Sequence, residues 1–299
     1  MKKLLLFAAI VCFAGSIQAQ KVKVEAQKYV GWGADQLSFN KSALIIGDQN
    51  IYGVNLVTRK PDKKGNTRTY MVLTEPRRLS GFGQSGCDFL ALTVNKIHIS
   101  RIVPNENSFK TWTKGDSAGC TAVLNFDGTK IRLDAYMKQG SPLLWMTFSP
   151  VEKQAEPMKS CRITLSCVIS GMKIVKGKHI DYKKFAKTAA RELTGQKDYR
   201  KAHYTLNASD RYLILGDSVL DGSKKGAGFG PSFVLLPENF DAVKKGTLIL
   251  NNGFCNQFFF DMKPDFKEFT IAIWQNKGVI SNQNFMKMFE SSKKKFLGE

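Results

Sequence analysis

The sequence predicts a mainly β protein, an antiparallel β-sandwich formed by two related strand modules or by one large sandwich. One inserted helix and one C-terminal amphipathic helix complete the predicted fold. Short runs rich in β-branched and aromatic residues recur along the 299-residue chain, and Gly, Pro, Asn and Asp separate them at short intervals. Strands punctuated this often are typical of sandwiches and barrels, whereas βαβ folds alternate strands with long helical segments.

The N-terminal segment 1–19 has the pattern of a secretory signal peptide. Lys2 and Lys3 precede an uncharged apolar run, and Ala19 offers a small residue before a cleavage point. The apolar run is shorter than the about 20 residues that a transmembrane helix needs. We therefore expect a secreted or periplasmic chain of residues 20–299 with no transmembrane segment.

Residues 20–299 are expected to form a single sandwich-type domain. The segment LIIGDQNIYG from Leu44 matches LILGDSVLDG from Leu213 in five positions, which indicates either a repeated strand module or ordinary hairpin chemistry. The predicted strands cover residues 43–46, 51–58, 69–74, 89–94, 96–103, 109–113, 121–126, 130–137, 143–149, 161–169, 212–215, 232–236, 247–250, 257–261 and 269–275.

Two segments predict helices instead of strands. Residues 181–194 combine helix-forming residues with an apolar stripe that includes Phe185 and Leu193. Residues 284–297 place phenylalanine and methionine opposite a face rich in serine and lysine. We expect this second helix to pack on the protein's own sheet rather than to lie on a membrane.

The chain is strongly basic, with 45 Lys and Arg against 25 Asp and Glu and a formal charge of +20. Cleavage after Ala19 removes Lys2 and Lys3 and leaves +18. Such a field attracts polyanions. Outside the cytoplasm the candidates are anionic polysaccharides, other cell-envelope polymers and anionic lipid surfaces, and the alternative is a charge that only maintains solubility. Export and the absence of a recognisable module argue against a specific nucleic-acid partner.

The cysteine pattern predicts no metal site. Cys161 and Cys167 stand about 20 Å apart along one predicted strand, so they cannot bond each other. No pair or cluster has metal-binding spacing, and no nucleotide-binding motif is present, so we expect neither a metal nor a cofactor. Cleavage of the leader leaves an odd number of cysteines, with the pairing open: Cys87, Cys120, Cys161, Cys167 and Cys255.

Strand periodicity brings several polar side chains to common faces. If the strands near residues 100, 112 and 134 are neighbours, these faces form one basic surface that carries a Trp, a Tyr and a His. The ligand-binding candidates on it are Lys96, His98, Lys110, Trp112, Lys114, Arg132, Asp134 and Tyr136.

This combination of residue types suits an anionic glycan. Trp and Tyr offer flat apolar faces to sugar rings, and lysines pair with carboxylate or sulfate groups. The alternative is that these lysines are simply solvated or protect a sheet edge from aggregation. Trp145 and Trp274 lie in apolar runs and are expected in the core, and Arg101 falls on an apolar face, where it would need a carboxylate partner.

Catalytic motifs are absent from the sequence. There is no GxSxG, no HExxH and no Walker A motif. The leading hypothesis is therefore a secreted glycan-binding protein. A polysaccharide lyase or glycoside hydrolase acting on such a glycan is one alternative, because a lyase needs only a Tyr or His base and a neutralising cation. A cell-envelope structural or assembly protein is the other.

Overall fold

Two antiparallel sheets dominate the fold, and we number the strands in chain order. The computed structural model describes residues 22–26, 37–75, 81–82, 89–102, 108–168, 173–175, 178–180, 184–195, 202–217, 230–238, 240–252, 255–276 and 280–299. The first sheet contains β1 (Lys23–Ala26), β2 (Leu37–Ile46), β3 (Ile51–Arg59), β4 (Thr69–Leu73), β5 (Gly81–Phe82), β6 (Leu90–Val94), β7 (Ile97–His98), β12 (Cys161–Val168), β17 (Ala202–Leu206), β20 (Val243–Asn252) and β21 (Cys255–Met262).

The second sheet has nine strands in the order β16-β15-β18-β19-β22-β11-β10-β9-β8. These are β8 (Ser108–Lys114), β9 (Ser117–Phe126), β10 (Thr129–Lys138), β11 (Leu144–Pro150), β15 (Lys184–Thr188), β16 (Glu192–Thr194), β18 (Tyr212–Asp217), β19 (Ser232–Leu235) and β22 (Phe269–Gln275). A separate hairpin joins β13 (Lys173–Val175) and β14 (Lys178–Ile180), and the described chain ends with α1 (Asn282–Ser291) and α2 (Lys293–Leu297).

One apolar core lies between the two sheets, as the predicted sandwich requires. Alternate residues of β10 are buried, from Ile131 to Met137, and they join buried residues of β12 and β21 such as Ile163 and Phe260 in a single cluster. Period-2 alternation thus presents one apolar face of each sheet to the other. The predicted mainly β sandwich is confirmed.

The C-terminal helices cover part of the outer face of the second sheet. Phe285, Phe289 and Phe296 are buried against Phe233 and Trp274, which point away from the central core. Aromatic pairs of this kind add about 0.5–1.5 kcal/mol each beyond the burial of their area. The predicted C-terminal amphipathic helix is confirmed. It consists of two short helices, α1 and α2, which pack on the protein's own sheet.

The predicted helix at 181–194 is wrong, because the chain there forms the hairpin β15–β16. Lys184 and Ala186 are buried on one side of β15, which pairs with β18. The Thr188 hydroxyl accepts the backbone N–H of Arg191 at 2.9 Å and so closes the turn. Helix propensity differs by less than about 1 kcal/mol per residue, so pairing with a sheet edge and burial override it.

The predicted strand at 96–103 is also wrong, apart from Ile97–His98. Lys96 lies in a turn with φ of 70°, β7 covers only Ile97–His98, and a 3-10 helix follows at Ile99–Arg101. The imidazole Nδ1 of His98 accepts the backbone N–H of Ser100 at 3.1 Å, which favours the helical turn over a continued strand. Arg101 is exposed, so it needs no buried carboxylate.

The four described cysteines are buried, and Cys161 and Cys167 are not bonded to each other, as predicted. Cys87 and the predicted leader 1–19 lie outside the described residues. Within the described chain, neither helix has the length and apolar character needed to span a bilayer.

Candidate functional site

The uncovered part of the second sheet carries the candidate site, on the outer face of β8 to β11. β9 lies between β8 and β10, so the register aligns residues of the outer strands across it. One row across the strands is Trp112, Gly119, Tyr136 and Trp145, and the next row is Lys110, Thr121, Asp134, Thr147 and Thr270. The sequence therefore folds into an aromatic row with a polar row beside it.

The rings of Trp112 and Tyr136 meet across Gly119. Their centroids are 5.8 Å apart with 43° between the ring planes, a tilted arrangement that aromatic pairs favour. Gly119 has no side chain to separate them, and a Cβ there would lie 2.2 Å from the backbone oxygen of Ala135. The glycine is thus required by the close approach of β9 to β10.

A chain of hydrogen bonds fixes the Trp112 ring. Its indole Nε1 donates to the Thr121 hydroxyl at 3.0 Å, and that hydroxyl donates to Oδ1 of Asp134. Arg132 donates to the same carboxylate through Nε at 2.8 Å and Nη2 at 3.1 Å. Both oxygens of Asp134 are therefore occupied, which suits a positioning role better than proton transfer.

Trp145 lies at the end of the aromatic row, where it packs against the aromatic cluster under the C-terminal helices, so its predicted core position is correct in part. The ring is half-buried, the Lys138 ammonium lies 4.4 Å from its centroid, and the C-terminal turn at Gly298 lies against it. The signal was present in the sequence, because Trp145, Thr147 and Ser149 alternate with buried residues along β11. Trp274 is buried, as predicted.

The same face is strongly basic. Lys110, Lys114 and Arg132 are exposed on either side of the aromatic row, and Lys138 lies at its edge. Asp134 is already paired with Arg132, so its charge is largely compensated. The arrangement can hold a ligand that presents apolar ring faces at its centre and negative charges at its sides.

Six of the eight predicted residues come together on this face: Lys110, Trp112, Lys114, Arg132, Asp134 and Tyr136. Lys96 and His98 do not, because they belong to the β6–β7 hairpin of the other sheet. Burial and the charge of Arg101 lower the pKa of His98, so the imidazole is neutral at physiological pH.

The described residues offer little for a catalytic or metal centre. Among them, no three His, Cys, Asp or Glu side chains cluster as a metal ion requires. Burial raises the pKa of Cys161 and of Cys167 to about 12, which keeps both thiols protonated. With His98 on the other sheet, the His base considered for a lyase is absent from the aromatic row.

No family model and no curated protein sequence matches the chain. Among solved structures, the chain resembles a quadruple mutant of the alpha-N-acetylgalactosaminidase NagBb from Bifidobacterium bifidum, with 9% identity, a TM-score of 0.47, and coverage of 89% of this chain and 38% of that one. It also resembles the alpha-galactosidase from Lactobacillus brevis, with 9% identity, a TM-score of 0.38, and coverage of 75% and 38%.

A third similar structure is the GH36 alpha-galactosidase AgaA from Geobacillus stearothermophilus, with 8% identity, a TM-score of 0.38, and coverage of 86% of this chain and 41% of that one. The chain thus spans about two fifths of the length of the solved proteins it resembles. Similarity at this level assigns no activity.

Proposed function

We propose that this chain is an exported glycan-binding protein that holds an anionic polysaccharide along the aromatic row of Trp112, Tyr136 and Trp145. The observation that carries the proposal is the fixed, partly exposed Trp112–Tyr136 pair between basic side chains. The leader-like segment 1–19 supports export to the periplasm or beyond it.

The geometry suits an extended ligand better than a compact one. Adjacent strands lie about 4.8 Å apart, so a row that crosses from β8 to β11 extends about 14 Å. Aromatic faces can stack on successive sugar rings along this distance. Lys110 and Arg132 are exposed on one side of the row, where the carboxylates of a glycan would find cationic partners.

Affinity electrophoresis tests the proposal. The purified protein migrates through gels that contain a neutral, a carboxylated or a sulfated polysaccharide, with DNA as a polyanion control. We expect retardation by an acidic glycan that persists at moderate salt and weakens in Trp112→Ala. The matched control is Phe259→Ala, because Phe259 is also a partly exposed aromatic residue but lies in the other sheet.

Equal retardation by every polyanion, lost on adding salt, would show that only the net charge acts and would reject the proposal. The same samples distinguish binding from turnover. An increase of unsaturated sugar ends, or of reducing ends, would convert the binding proposal into a lyase or a hydrolase, respectively.

A further inference from the structure

A second basic feature lies on the first sheet, remote from the aromatic row in the strand order. It is a cleft of about 390 Å³ where the start of β12 and the end of β21 meet. Cys161 and Met262 are buried at its base, with 3% exposure each. The charged residues that line it are Lys96, Lys159, Arg162, Lys244, Lys245 and Asp261, and we call it the basic cleft.

The charges of the basic cleft are not balanced within the described residues. Asp261 is bound by Arg162, whose Nε and Nη2 lie 2.6 Å and 3.1 Å from its two oxygens. The four lysines are exposed and form no ion pair with any described carboxylate. Like charges that converge on a concave surface repel one another, and a bound anion relieves that repulsion.

Asn95 holds two of these lysines in place. The side-chain Oδ1 of Asn95 accepts the backbone N–H of Lys159 at 2.8 Å, and the backbone N–H of Asn95 donates to the carbonyl of Ser160 at 3.0 Å. Asn95 and Lys96 both adopt left-handed backbone conformations, with φ of 48° and 70°. Lysine at the second position therefore carries a conformational cost that glycine would avoid.

A β-bulge in β20 contains one of the other two lysines of the basic cleft and directly precedes the second. The register of β20 with β21 shifts between Val243 and Lys245, so Lys244 is an extra residue in the ladder. Such bulges redirect side chains and are common beside functional sites. Here the shift leaves two consecutive lysines exposed at the same side of the basic cleft.

We infer that the basic cleft binds a tetrahedral oxyanion, a phosphate or sulfate group carried by a small ligand. The basic cleft is compact, whereas the aromatic row is extended. Several ammonium groups line the cleft and can bind the oxygens of one anion. Lysine ammonium groups act as point charges toward such an anion, and the Arg162 guanidinium lies beside them. Phosphate and sulfate share this shape and charge.

Calorimetric titration of the purified protein with inorganic pyrophosphate and with inorganic sulfate, at constant ionic strength, tests the inference. In Lys244→Ala/Lys245→Ala we expect binding to weaken by about tenfold or more, because charge-assisted contacts are lost. Lys63→Ala/Lys64→Ala is the matched control, since it removes two exposed lysines from a loop outside the cleft. It should change the affinity by less than about twofold, as screened distant charges do.

Lys96→Gly separates binding from folding. This change relaxes the left-handed backbone and removes one ammonium group, so the variant should be at least as stable as the parent and still bind the anion more weakly. A further titration with inorganic phosphate, which has the shape and nearly the charge of sulfate, separates the two ligands: tighter binding of phosphate would indicate a phosphate ligand, and the reverse order a sulfate ester. Unsaturable binding of both anions, or equal loss in both double variants, would overturn the inference.

Binding in the basic cleft is independent of the glycan proposal. The cleft and the aromatic row belong to different sheets, so Trp112→Ala should leave the affinity for pyrophosphate unchanged. A parallel loss in this variant would contradict a separate anion site.

Discussion

Substitution of Asp134 by alanine should weaken polyanion binding even though it makes the protein more positive. Asp134 receives hydrogen bonds from Thr121 and Arg132, and Thr121 in turn fixes the indole of Trp112. Removal of the carboxylate frees the ring to adopt other rotamers, so binding has to restore its position at an entropic cost. A purely electrostatic surface predicts the opposite sign, because the loss of a negative charge strengthens attraction to an anion.

The cost to stability follows from the exposure of the partners. The Arg132 side chain is 53% exposed and that of Asp134 17%, so the ion pair contributes at most about 1 kcal/mol. The hydrogen bond from Thr121 to a mostly buried carboxylate contributes about 1.5 kcal/mol. Asp134→Ala should therefore lower the free energy of unfolding by about 2 kcal/mol, which corresponds to a Tm lower by about 4–8 °C.

Asp116→Ala is the charge-matched control. Asp116 is exposed in the β8–β9 turn, and its carboxylate accepts the hydroxyl of Ser117. Denaturant unfolding should show a change within about 0.5 kcal/mol. Affinity electrophoresis on an acidic glycan should show weaker binding for Asp134→Ala and equal or stronger binding for Asp116→Ala. Equal strengthening in both variants would refute the positioning role of Asp134.

Two further predictions concern the fold around the site. Arg191→Met should lower the free energy of unfolding by about 2–3 kcal/mol, because it leaves the fully buried carboxylate of Asp210 without its bidentate partner. Denaturant titration measures this change, and a loss under about 0.5 kcal/mol would contradict the hairpin at β15–β16. The raised pKa values of Cys161 and Cys167 mean that their thiolates are scarce at pH 8. In a Cys87→Ser variant of residues 20–299, peptide mapping by mass spectrometry should find no maleimide adduct at Cys161 or Cys167 in the native state and an adduct at both after unfolding.

Most strand positions could be predicted from the sequence, because alternation of apolar and polar residues is a local signal. The hairpin at β15–β16 could not, since Lys, Ala, Arg and Glu favour a helix locally and the pairing with β18 is a distant contact. The order of the strands within the sheets could not be predicted from the sequence either. β12 pairs with β6 and β21, which are far from it and from each other in sequence.

The aromatic row was predicted in part. The alternation of apolar and polar residues predicted that Trp112 and Tyr136 lie on polar faces of their strands. That the two residues meet depended on β8 and β10 being close. They are close because β9 lies between them and forms a hairpin with each. Lys96 was misplaced because it lies in a turn with Asn95, whereas the pattern indicated the first residue of a strand at 96–103. The basic cleft left no local signal, since its lysines come from three separate segments of the chain.

Glycan binding on the aromatic row is best tested by the affinity for one carboxylated polysaccharide at about 0.15 M salt, where the Debye length is about 8 Å. Titration calorimetry would compare the parent protein with Trp112→Ala and with Lys63→Ala/Lys64→Ala. We expect saturable binding that Trp112→Ala weakens by about tenfold, which corresponds to about 1.4 kcal/mol, because the apolar ring face is lost, whereas the lysine variant changes it little. Binding that the lysine variant weakens and Trp112→Ala does not would show that net charge alone attracts the glycan.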